Sequence, residues 1–179
     1  MPKQRGQTLS SRVVFTGKVF SVRHDQVSEP GGVLAERDIV VHPGSVVVMP
    51  VFPDGKILLI RQWRHTAQDF LWELVAGRVD AGESPVEAAH RELAEETGYA
   101  ARRLKKLLEI FPSPGFVDEI MWIFAASGLT LGAARPEEDE RIEARRFSLR
   151  EAERMIRSGK LRDAKSIAGI LYYARFALR

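Results

Sequence analysis

The chain is 179 residues long, enough for one ordinary domain with an extension, and its 45% hydrophobic and 28% charged residues are the balance of a globular fold. It contains no cysteine, which excludes disulfides, thiolate metal sites, iron–sulfur clusters and a cysteine nucleophile, and leaves any chemistry to carboxylates, histidines and hydroxyls. No apolar run approaches the roughly 20 residues of a membrane span, and Met1 to Gln7 lead into no signal-type core, so a soluble cytoplasmic protein with no membrane partner is expected.

The formal net charge is only +3, but the charges are unevenly placed. Acids crowd Glu83 to Glu96 and Glu137 to Glu143, whereas residues 144–179 carry ten Lys/Arg against three acids. The basic stretch reads as a solvated helix face. Aromatics do not alternate with it as a stacking surface requires, so no nucleic-acid partner is expected.

Val13 to Val22 and Val33 to Val41 alternate apolar and polar residues and predict strands, with Pro30-Gly31-Gly32 as the turn between them. His42-Pro43-Gly44 breaks the chain and sets the expected boundary between an N-terminal segment, 1–44, and a domain, 45–179. Ser45 to Val51 is a continuous apolar run, the pattern of a strand covered on both faces. Pro53-Asp54-Gly55 has turn chemistry and Lys56 to Gln62 resumes as a strand, so residues 45–62 predict a β-hairpin. Ser84-Pro85-Val86-Glu87 is a capping box opening a helix that Gly98 ends, with Val86, Ala89 and Leu93 as its apolar stripe. Leu104 to Phe111 and Glu119 to Ala126 predict strands. Ser148 to Glu151 is a second capping box, for a helix stopping near Gly159, and Asp163 caps a last helix through Ala177. The sum is a mixed α/β domain.

Within the first helix, Glu92 and Glu96 are four residues apart and share one face, and Glu95 is within reach of it. Three carboxylates this close repel one another unless a cation lies among them, and an all-oxygen set suits Mg²⁺ or Mn²⁺ better than zinc. The loop Gly77 to Gly82 has glycines where backbone approaches a ligand, so a carbonyl there can complete a metal shell. The bland alternative is an i, i+4 pair of Glu87 with Arg91 and a solvated row of glutamates. Arg61 and Arg64, at the end of a strand, have the forked geometry for phosphate oxygens; Arg37 is a weaker candidate.

The segment Gly77 to Tyr99 fills every fixed position of Gly-x5-Glu-x7-Arg-Glu-U-x-Glu-Glu-x-Gly-U, with U bulky and apolar and Tyr99 an unusual last U. It resembles the box of the Nudix hydrolase family. Arg61-Gln62-Trp63-Arg64, Trp72 to Gly77, Pro112 to Phe116 and Glu137 to Glu140 resemble the ADP-ribose pyrophosphatase branch, as does Pro114, sixteen residues past Gly98. Val75 departs from it, standing where many relatives have proline.

The resemblance implies a Nudix-type α/β/α sandwich with a mixed sheet, preceded by a small N-terminal β-subdomain that builds a homodimer with shared active sites. It implies Mg²⁺, replaceable by Mn²⁺, held by Glu92, Glu95, Glu96 and the carbonyl of Ala76, with Glu83 and Arg91 as braces. Simple charge complementarity at the helix N-terminus is the other reading of Glu83. A loop glutamate, Glu137, Glu138 or Glu140, would be the base. Glu73 and Glu119 match polar positions of the family's substrate pocket, beside Arg37, Arg61, Arg64 and Pro114. Phe20, Trp63 and Phe116 are candidates to stack on a base, or else core packing. The activity implied is hydrolysis of ADP-ribose to AMP and ribose 5-phosphate. The alternatives are another nucleotide sugar such as GDP-mannose, or a non-catalytic ADP-ribose-binding regulator.

Overall fold

The computed structural model describes residues 5–133 and 142–178. Its strands are β1 (Gln7–Thr16), β2 (Ser21–Ser28), β3 (Leu34–Val41), β4 (Ser45–Pro50), β5 (Lys56–Arg64), β6 (Asp69–Glu73), β7 (Val75–Arg78), β8 (Tyr99–Ile110), β9 (Met121–Leu131) and β10 (Glu143–Ser148). The α-helices are α1 (Pro85–Thr97), α2 (Leu149–Arg157) and α3 (Ala164–Tyr172), the last continuing into a π-turn over Tyr173–Ala177. The chain divides into two compact units, Gly44–Ile110 with Met121–Arg179, and Met1–Pro43 with Phe111–Ile120. The loop Phe111–Ile120 thus groups with the N-terminal residues, a return that a single boundary at residue 44 does not contain.

In the larger unit β4 is an inner strand of a mixed sheet ordered β7-β4-β9-β8, antiparallel to β7 and parallel to β9. Its side chains alternate between two cores. Val46 and Val48 pack with Ala88, Ala89 and Leu93 of α1, while Val47 and Met49 pack with Met155 of α2 and Ile170 of α3. Helices therefore cover both faces of the sheet, which is why β4 is apolar without interruption. This is the expected α/β/α sandwich.

The expected hairpin over 45–62 does not form. Both edges of β4 are already occupied by β7 and β9, so β5 pairs instead with β6 and β10 in a second, antiparallel sheet. Turn chemistry at Pro53-Asp54-Gly55 sets the reversal, with the Gly55 N–H donating to the Phe52 carbonyl, but not the partner. The Val51–Ile57 bridge and the bond from Phe52 N–H to the Lys56 carbonyl at 2.9 Å close the turn without extending into a ladder.

α1 begins at the expected capping box, with Ser84 Oγ accepting from Glu87 N–H and the Glu87 carboxylate accepting from Ser84 N–H, and ends at Gly98, whose φ of 73° requires a residue without Cβ. Its buried stripe is Ala88, Ala89, Leu93, Glu96 and Thr97, whereas Val86 is half exposed.

The smaller unit is an antiparallel meander ordered β1-β2-β3. The strand expected over Val13 to Val22 is two strands, broken at Gly17, whose N–H donates to the Phe20 carbonyl at 2.9 Å. Apolar residues continue through this turn, which hides it from periodicity. Asp118 fastens the Phe111–Ile120 loop to this sheet, accepting from His42 N–H at 3.0 Å and pairing with Arg23 at 3.3 Å. All ten residues of β1 are exposed, Val13 and Phe15 among them.

Candidate active site

The loop from β7 to α1 folds back onto the helix through one arginine. Arg91 donates from Nε and Nη2 to the two oxygens of Glu83, each at 2.9 Å, and from Nη2 to the Arg78 carbonyl at 2.9 Å. Its Nη1 reaches Glu92 at 2.7 Å and Glu95 at 3.0 Å. Glu83 also accepts from Asp80 N–H at 3.1 Å. This forked bond from Arg91 holds the Glu83 carboxyl below the usual range, and Glu83 in turn raises the Arg91 guanidinium. The geometry is that of a brace across the loop. The alternative pair of Glu87 with Arg91 is not made, because Glu87 is committed to Ser84 N and Oγ at 2.8 and 2.6 Å.

Glu92 and Glu96 are largely buried, and Glu95 is exposed over nearly half its side chain. The Glu92 carboxylate lies directly against the backbone of Gly77: a Cβ at that position would fall inside it. Loop backbone and helix carboxylate thus meet without an intervening side chain, which fits a donor set of carboxylates plus a carbonyl from Ala76 or its neighbours. A hard divalent cation suits such oxygens. Of the three carboxylates expected to converge, Glu92 and Glu95 meet on Arg91 Nη1; among the described residues no three acidic or histidine side chains stand ready-grouped for an ion.

Arg64 and Glu73, expected to bind substrate, are joined to each other. Arg64 Nε and Nη2 donate to the two Glu73 oxygens at 2.7 and 2.8 Å, and Lys165 Nζ adds a third contact at 2.5 Å. Burial acts to raise the Glu73 carboxyl, but the bonds and charges of Arg64 and Lys165 outweigh it and the net shift is downward. The Glu73 bond raises Arg64, which also feels the charges of Glu96 and Asp163. Arg61 stands apart from this network. Its guanidinium lies 5.1 Å from the Phe70 ring centre and 3.8 Å from Glu143, beside an open depression of about 360 Å³. Trp63 packs edge-on to Phe70 at 5.4 Å.

In the smaller unit Arg37 and Pro114 line one cavity of about 330 Å³ with Phe111, Phe116 and Asp118. Arg37 donates to Glu29 and to the Glu36 carbonyl, each at 2.9 Å, and both phenylalanines are more than half exposed. Glu119 lies 3.4 Å from His42 Nδ1. Phe20 packs on Phe15 at 5.9 Å. Glu137, Glu138 and Glu140 lie outside the described residues.

Sequence reasoning missed Lys165 and Ser166. Their one signal was Asp163, legible as a helix cap, which places Lys165 and Ser166 in the first turn of α3.

A helix-covered mixed sheet whose first helix sets Glu92 against the loop backbone defines an α/β/α sandwich with an acidic helix facing a glycine loop. Residues 41–169 match the NUDIX domain family, and the chain belongs to that family. It is 38% identical over 168 residues to an ADP-ribose pyrophosphatase of Bacillus subtilis (strain 168), covering 93% of this chain and 91% of that protein. It is also 38% identical over 169 residues to an ADP-ribose pyrophosphatase of Mycobacterium tuberculosis, covering 92% and 81%. The crystal structure of an ADP compounds hydrolase superposes with a TM-score of 0.84 at 23% identity, over 99% of this chain and 97% of that one, a likeness of fold. Among the described residues no helix is long and apolar enough to cross a membrane.

Proposed function

We propose that this chain hydrolyses the diphosphate bond of ADP-ribose to AMP and ribose 5-phosphate. The reading rests on one observation: the carboxylates of the box are complete and braced in a chain that matches the Bacillus subtilis ADP-ribose pyrophosphatase almost end to end.

The residues divide the work. Glu92, Glu95, Glu96 and the Ala76 carbonyl would hold Mg²⁺, or Mn²⁺ in its place. When bound, such a cation neutralises the diphosphate and lowers the pKa of water. Arg91 and Glu83 keep the loop seated on the helix, so that Glu92 stays against Gly77. A glutamate of the 137–140 segment, Glu138 or Glu140 foremost, takes the proton of the attacking water as the water oxygen bonds to phosphorus and the bridging P–O bond breaks. The leaving phosphate oxygen carries away the electron pair. Arg61 supplies positive charge for the diphosphate beside its open depression. The N-terminal segment 1–44, through the β1–β3 meander with its fully exposed β1, pairs two copies into a homodimer in which the sites are shared. A cytoplasmic enzyme fits the cysteine-free composition.

Incubation with ADP-ribose, GDP-mannose, NADH or a nucleoside triphosphate, with Mg²⁺ or with chelator, tests the reading by product chromatography. AMP and ribose 5-phosphate formed only with metal, and fastest from ADP-ribose, are expected. Turnover of GDP-mannose alone would overturn the substrate and keep the chemistry. Tight ADP-ribose binding without turnover would mark a regulator.

A further inference from the structure

Glu73 closes β6, Leu74 stands alone between the strands, and Val75, Ala76 and Gly77 follow in β7. At this step the chain leaves the sheet it shares with β5 and enters the sheet of β4. Leu74 is fully buried, so its backbone N–H must find a partner away from water. That partner is a side chain: Ser166 Oγ, itself fully buried, accepts from Leu74 N–H at 2.7 Å and donates to Asp163 Oδ2 at 2.5 Å.

The neighbouring residue repeats the tie. Lys165 Nζ bonds Glu73 at 2.5 Å and Asp163 Oδ1 at 2.8 Å, while Asp163 also accepts from Ser166 N–H at 3.0 Å as the cap of α3. Two consecutive residues at the end of β6 are therefore held by two consecutive residues at the start of α3, with Asp163 joining both. Three residues further along the strand Gly77 meets the Glu92 carboxylate with no room for a Cβ.

We infer that Ser166, Lys165 and Asp163 form a positioning device that sets where the Ala76–Gly77 backbone stands against Glu92. The inference rests on the reading of Ala76 and Glu92 as cation ligands. None of the three residues is a catalytic residue; each acts through the strand. A rigid strand carrying no metal ligand would need only the fold-stabilising part of this network, so what distinguishes the device is its effect on cation affinity.

The test uses the full chain as Ser166→Ala and Lys165→Met, with Glu96→Gln as reference and Lys165→Arg as the conservative rescue. Amide hydrogen exchange is read on metal-free protein and Mn²⁺ affinity by electron paramagnetic resonance titration. Folded Ser166→Ala should exchange faster at residues 74–78 while α1 keeps its protection, and its Mn²⁺ Kd should rise about tenfold, the usual lower range for loss of an outer-shell partner. Lys165→Met should move both readouts the same way and Lys165→Arg should restore them. If Ser166→Ala does not fold, Lys165→Met alone decides. Unchanged exchange at 74–78, or faster exchange with an unchanged Mn²⁺ Kd, overturns the inference. The reading of the site fails separately, if Glu96→Gln binds Mn²⁺ as tightly as the parent.

Discussion

Gly77 and Glu92 share a space that holds only one of a side chain and a carboxylate. Gly77→Ala therefore tests whether that contact matters for chemistry rather than for folding. The backbone at Gly77 is an ordinary strand and the atoms in the way belong to the end of a flexible side chain, so the fold accommodates the methyl by turning Glu92 aside. Stability should change by less than about 1 kcal/mol, while kcat falls on the order of 100-fold as a ligand is displaced. A variant with near-parental kcat and a large stability loss would reverse this assignment.

The Glu83–Arg91 brace carries a pH signature. Arg91 holds the folded-state pKa of Glu83 below its ordinary value of 4.5. The stability linked to it is therefore present above the unfolded-state value and lost as pH falls through the lowered folded-state value. Glu83→Gln removes it. Urea midpoints of parent and variant should differ at pH 7 and converge as the pH falls below 4.5 and on through the lowered folded-state value. A difference that stays constant across this range would mean that the charge of Glu83 contributes nothing.

The loop and the helix were legible in the sequence because their signals are local. Ser84, Glu87 and Gly98 specify both ends of α1, the spacing of Glu92, Glu95 and Glu96 follows from helix geometry, and the pairing of Glu83 with Arg91 was implied by the resemblance of the box. What stayed hidden depends on partners distant in the chain. The pairing of β5 with β10 follows from β4 having both edges filled, and the bonds of Lys165 to Glu73 and of Ser166 to Leu74 each span 92 residues. That Arg64 and Glu73 are bonded to each other was equally hidden, because buried charge and pocket charge leave the same trace in a sequence.

Glu73→Gln separates these roles. The carboxylate is 1% exposed and faces two cations, so its neutralisation leaves Arg64 and Lys165 without their shared counter-charge. A loss of about 3 kcal/mol is expected from breaking a buried ion network at one member, read by urea denaturation. KM for ADP-ribose should rise little in whatever protein remains folded. Parental stability with a KM raised by an order of magnitude would return Glu73 to the substrate pocket.

The meander β1–β3 leaves Leu9, Val13, Phe15 and Leu34 more than half exposed, on strands where β1 has no buried residue. Scattered apolar residues are ordinary on a surface, and the proposed homodimer would cover these by using β1 as its face. A second copy of the chain meets the requirement by isologous pairing. Val13→Glu places like charges where two copies would meet, and light scattering should show the mass of a dimer falling to that of a monomer while circular dichroism is unchanged. If the sites are shared, the monomer also loses turnover of ADP-ribose. A parent that is monomeric at micromolar concentration and fully active would remove both the dimer and the shared site.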